Sequence, residues 1–74
     1  MQTEDKIDAL KRIYPDLYIT FAGSYDVQNA TVHQVCDGSG RDGFVLASAK
    51  TRAAAIDRAY QERIVDAYLK EQAK

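Results

Sequence analysis

Apolar residues recur at helical spacing near both ends of this chain and at strand spacing between them. Ile7, Leu10 and Tyr14 stand three and four residues apart, with Ile13 at the edge of the same stripe; that periodicity predicts an amphipathic helix. Thr3 offers a capping hydroxyl, Glu4 and Asp5 suit the positive end of a helix dipole, and Pro15 forces the helix to stop. Leu17 to Ala22 then alternates, placing Leu17, Ile19 and Phe21 on one face of a strand. Gly23-Ser24-Tyr25-Asp26 reads as a turn, and Asn29 to Cys36 as a second strand. The facing of that strand is ambiguous, because Ala30, Val32 and Cys36 share a side with Gln34, while Val35 falls with Thr31 and His33. The reading adopted puts Val32 and Cys36 inward. Asp37 to Gly43 is a glycine-rich hairpin loop leading into a third strand, Phe44-Val45-Leu46-Ala47.

A long amphipathic helix follows. Thr51 is the expected cap, with Ser48 its rival. Ala53, Ile56, Tyr60, Ile64, Ala67 and Tyr68 form the broad apolar face expected to lie on the sheet, and Lys70 and Lys74 suit a helix C-terminus. Ala54, Val65 and Leu69 make a second apolar flank, either covered by the first helix or used for self-association. Asp57 and Gln61 interrupt the apolar face. Either they line its rim, or Asp57 pairs with a neighbour such as Arg58 or Lys50. The order helix–strand–strand–strand–helix with hairpin-length connections predicts an α+β domain over residues 1–74, αβββα, with a three-stranded antiparallel sheet.

Composition narrows the class. A chain of 74 residues has room for one core, and a domain this small hides only about 60–65% of the surface its unfolded chain exposes. Apolar residues at 46% and charged residues at 28% describe a folded, non-membranous protein. The longest uncharged run, Leu17 to Tyr25, is too short to span a bilayer. The opening Met1-Gln2-Thr3-Glu4-Asp5 is acidic and polar, the reverse of a signal peptide, and one cysteine, Cys36, cannot form an internal disulfide. Both point to a cytoplasmic setting. A net charge of −1 supplies no global attraction to nucleic acid.

The phrase Leu46-Ala47-Ser48-Ala49-Lys50-Thr51-Arg52-Ala53-Ala54-Ala55-Ile56-Asp57-Arg58-Ala59 resembles the closing strand and helix of small bacteriophage-encoded proteins described as phage ABA-sandwich domains, whose last helix opens with T-x-A-x-A-I-x-x-A. The resemblance covers about the last third of the chain, with the rest matching only in element order. It implies a phage or prophage origin, leans toward a helix on each side of the sheet, and carries over no catalytic residue. The element order also resembles the double-stranded RNA-binding domain, whose second helix opens with clustered lysines. Lys50 and Arg52 stand there in this chain, with Arg58 more than a turn away. That is fewer cations than the family uses, and phosphate neutralisation supplies most of such affinity.

No constellation supports chemistry. Asp37-Gly38-Ser39-Gly40-Arg41-Asp42 departs from a calcium loop, with Arg41 at the fifth position, Asp42 at the sixth and Ser48 at the twelfth. It also lacks the Gly-Lys-Ser/Thr ending of a phosphate cradle. His33 and Cys36 are the only soft metal ligands and, three apart on a strand, point to opposite faces. No catalytic residue, metal or cofactor is therefore expected.

The function expected is that of a non-enzymatic, phage-encoded binding protein docking on a host protein or protein complex as monomer or homodimer. An inhibitor of host defence, as anti-CRISPR proteins are, is its sharpest form. Tyr18, Tyr25, Asp26, Asp37, Arg41 and Asp42 are the expected contact residues, since tyrosines on rigid strands make good anchors and acidic loops can imitate phosphates. Tyr18 and Thr20, with His33 and Val45, would form the outward sheet face. The alternatives are a nucleic-acid-binding module using Arg41, Lys50, Arg52 and Arg58, and a structural protein self-associating through Val65 and Leu69. No membrane contact is expected.

Overall fold

The computed structural model describes residues 2–23 and 31–73. Helix α1 spans Thr3–Ile13. Its cap is Gln2, and Thr3, the expected cap, is the first helical residue; the Asp5 carboxylate reaches back to accept the Gln2 N–H at 3.4 Å. A carboxylate at the third helical position thus accepts the cap residue's own N–H, the return arm of a capping box. At the other end the Tyr14 N–H donates to the Leu10 carbonyl at 2.8 Å, and Pro15 stops the helix as expected.

Strands β1 (Leu17–Gly23), β2 (Thr31–Asp37) and β3 (Val45–Ala49) form one antiparallel sheet in the order β1-β2-β3. Ile19 faces Val35, and Val35 faces Ala47, so these three share a side; Tyr18, Cys36 and Val45 share the other. A bulge at Val35/Cys36 sets Leu46 as an extra residue on β3. It breaks the alternation, so that Leu46 and Ala47 are both buried in succession.

Helix α2 (Arg52–Tyr60) begins where the sequence places it: the Thr51 hydroxyl accepts the Ala54 N–H at 3.1 Å. It does not continue as one regular helix. Gln61–Val65 is a π-helical segment, after which α3 (Asp66–Gln72) resumes the α form. From Arg52 to Gln72 this rod is about 30 Å long at 1.5 Å per residue, whereas the five residues of β3 reach about 17 Å. The far end therefore overhangs the sheet, in a molecule measuring 44 × 23 × 22 Å.

One core lies between the sheet and both helices. Ile7, Leu10 and Tyr14 of α1 meet Leu17, Val35, Leu46 and Ala47 of the sheet and Ala55, Ile56 and Ala59 of α2. Both helices thus cover the same face, and the helix-on-each-side arrangement implied by the phage resemblance is not formed. Several expected facings change with it. Val35 takes the fully buried core position of β2, while Cys36, buried too, belongs to the opposite face. Ala55 and Ala59 replace Ala53 and Ala67, which are exposed, as the small contacts of the long helix, and Tyr68 is 60% exposed beyond the sheet. Phe21, expected inward with Leu17 and Ile19, is on the helix side but 64% exposed, because the core cover ends before it.

Leu10 and Ile56 are completely enclosed, so truncation of either leaves a cavity that the short elements cannot close. Leu10→Ala and Ile56→Ala are each expected to lower unfolding free energy by about 2–5 kcal/mol in urea titration, whereas Ala53→Ser, on the exposed side, should change it by less than about 0.5 kcal/mol.

Candidate functional site

The open face of the sheet carries three of the exposed large apolar residues, Tyr18, Phe44 and Val45. Tyr18 of β1 and Phe44, just before β3, meet edge to face with ring centroids 6.2 Å apart and planes at 76°. Edge-to-face packing of this kind is favourable between aromatic rings. Tyr18 is 40% exposed, Phe44 61% and Val45 44%. Thr20, Val32 and Gln34 continue the face, all half-buried, and Cys36 lies buried opposite Tyr18 and Val45. Desolvation, followed by the neighbouring Cys36 thiol, raises the Tyr18 phenol above its ordinary pKa. A Cβ on Gly38 would come within 3.7 Å of the Tyr18 ring and 3.0 Å of the Asp16 carbonyl, so the glycine lets the loop lie tight against the patch. Tyr18 and Val45 are where the sequence reading puts them. His33 is not: it faces Phe21 on the helix side, ring centroids 4.9 Å apart. Phe44, read from the sequence as the first residue of the third strand, lies just before β3 and has no contact role in that reading, because its partner is 26 positions away (44 − 18).

The loop after β2 differs most from expectation. Asp37 was expected on the surface as a contact residue, yet it is completely buried. One carboxylate oxygen accepts the Ser39 N–H at 3.0 Å and the Ser39 hydroxyl at 2.6 Å; the other accepts the Arg41 N–H at 3.0 Å. The side chain therefore organises the turn from inside, as aspartates commonly do. The Ser39 hydroxyl, helped by the backbone N–H groups, holds its pKa below the usual carboxylate range against the opposing effect of desolvation.

Arg41 and Asp42 fasten that loop to the helices. The Arg41 guanidinium donates to the Ile13 carbonyl at 3.0 Å, capping the end of α1. The Tyr14 hydroxyl donates to Asp42, whose carboxylate also lies 3.9 Å from Arg63. Desolvation and this carboxylate raise the Tyr14 pKa. Both loop residues remain exposed at the margin of the structure. The remaining expected contacts, Tyr25 and Asp26, lie outside the described residues.

The basic residues are dispersed among internal partners. Arg52 pairs with Glu4 at 3.4 Å, and Arg58 donates to the Ser48 carbonyl at 3.1 Å. Lys50 is exposed and makes no ion pair with another described residue. Asp57 pairs with Lys6 of α1 at 2.7 Å, settling its role with a partner that neither sequence alternative included. Of the self-association pair, Leu69 is 57% exposed on the overhang and Val65 half-buried in the π segment.

Among the described residues no three His, Cys, Asp or Glu side chains converge as a metal site would require, and no helix is long and apolar enough to cross a membrane. Comparison with known protein families, curated proteins and solved structures finds no match to this chain.

The depressed pKa of Asp37 fixes the sign of a pH effect. Its stabilising contribution is complete above the unfolded value near 3.9 and fades as pH falls through the lower folded value. Asp37→Ala should therefore lower the denaturant midpoint at pH 7, and the gap to wild type should narrow as pH drops below about 4; a gap constant with pH would show that the ionised carboxylate is not what holds the loop.

Proposed function

We propose that this chain is a non-enzymatic binding protein that docks on a protein partner through the open face of its sheet. Tyr18, Phe44 and Val45 form the centre of contact, with the Asp37-supported loop and its exposed Arg41 and Asp42 as a polar margin. The observation that carries this reading is the half-exposed Tyr18–Phe44 pair on a face to which neither helix contributes cover. Clustered apolar surface of this kind marks interaction sites more often than it occurs idly, and aromatic anchors on rigid strands lose little entropy on binding. The ring of half-buried Thr20 and Gln34 offers hydrogen bonds around that centre, the usual layout of a protein interface. Arg41 and Arg58 donate to backbone carbonyls and Arg52 to a carboxylate, an arrangement that favours a protein over a nucleic-acid ligand. A phage-encoded inhibitor of a host defence complex is the sharpest form of this function, and the sequence resemblance bears on its phage origin alone.

The test is capture from bacterial host lysate with the tagged wild type and with Tyr18→Ala/Phe44→Ala, each captured species identified by mass spectrometry. Loss of two anchors worth about 2 kcal/mol each should reduce recovery of a specific partner at least tenfold, with the urea midpoint shifted little because neither ring belongs to the core. Equal recovery by the folded double variant would reject the open face as the docking surface.

A further inference from the structure

Among the described residues, strand β1 is an edge without the protection edges normally carry. It pairs with β2 on one side, has no ladder partner on the other among the described residues, and runs seven residues without a bulge. Its sequence, Leu17-Tyr18-Ile19-Thr20-Phe21-Ala22-Gly23, holds no charge and no proline. Exposed edges are usually blunted by lysine, proline, bulges or shortness, because their free N–H and C=O groups recruit another strand. The opposite edge, β3, is short, bulged and packed against α2. Among the described strands, β1 alone is a long, bulge-free and uncharged edge.

Two further features lie on the helix side of β1, two residues apart. Phe21 projects as a knob, 64% exposed and braced edge to face by His33. Beside Leu17 and Ile19 is a half-open groove of about 150 Å³, lined also by Tyr18, by Glu4, Ile7 and Lys11 of α1, and by Arg52 of α2. The knob cannot reach the groove of its own chain, since both are fixed along one strand.

We propose that this edge is a homodimer interface, in which β1 of two copies pair antiparallel about a two-fold axis at Thr20 and join the sheets into one of six strands. In that register Ile19 of each copy faces Phe21 of the other. Directly opposed residues share a sheet face with Cβ atoms about 5 Å apart, and diagonal neighbours stay within reach of an aromatic ring. Each Phe21 therefore enters the other copy's groove, over Ile19 and towards Leu17. The axis makes the contact isologous, so both knobs are seated and no edge of β1 remains open. The helices of both copies stay on one side, and the two open faces become continuous. A second copy satisfies knob and groove together, which is why it is the occupant chosen here over a foreign strand.

Sedimentation equilibrium tests this directly. The wild type should rise from 8.3 kDa towards twice that mass between about 1 and 500 µM. Phe21→Glu and Ile19→Lys should each remain monomeric over that range, with helix and strand content preserved by circular dichroism. Mixed in equal amounts, the two variants should recover dimer, because one contact is then native and the other pairs glutamate with lysine. A wild type that stays monomeric throughout overturns the proposal, as does a dimer that survives Phe21→Glu. A mixture showing no recovery rejects the antiparallel register centred on Thr20. None of these readouts depends on the open-face residues, so failure here leaves the docking function standing, and the reverse also holds.

Discussion

The enclosed contact of Leu10, Val35 and Ile56, one residue each from α1, β2 and α2, is the constraint on which the remainder depends. A short chain has few large apolar side chains, and burying them is what offsets the conformational entropy of folding. Concentrating them between one sheet face and two helices gives a single well-filled core. The same choice leaves the other sheet face without cover. What the molecule can present to a partner follows from that economy of apolar residues.

Polar contacts then hold the layers in one arrangement. Arg52–Glu4 and Lys6–Asp57 tie the beginnings of the two helices, while Tyr14, Asp42 and Arg63 tie the end of α1 to the loop and the π segment. Exposed ion pairs contribute little energy singly. Their effect here is directional, since the pairs join early residues of α1 to early residues of α2 and the helices therefore run side by side in the same sense. The loop is organised from inside by Asp37, which frees its rim to lie beside Tyr18.

The π segment and the overhanging α3 have a different character. Tyr68 and Leu69 are exposed because the helix outruns the sheet. A π segment inserted in an α-helix shifts the phase of all that follows, so a wheel drawn at constant angle misplaces Ala67 and Tyr68. The same wheel also expected Ala53 where Ala55 and Ala59 make the contact. Small residues at both positions made those alternatives indistinguishable by hydrophobicity alone.

Periodicity, the Thr51 hydroxyl and Pro15 were enough to establish the element order and antiparallel sheet, because helix stops, caps and strand alternation are local effects. Tyr18 and Val45 on the outward side were legible for the same reason. Which of Val35 and Cys36 faces the helices was not, since both are apolar and β2 lacks clean alternation; the pairing with Ile19 and Ala47 settled it. Nor could local pattern show that Asp37 turns inward, that Phe44 meets Tyr18, or that Asp57 finds Lys6. Those contacts join residues distant along the chain, and only the packing of layers brings them together.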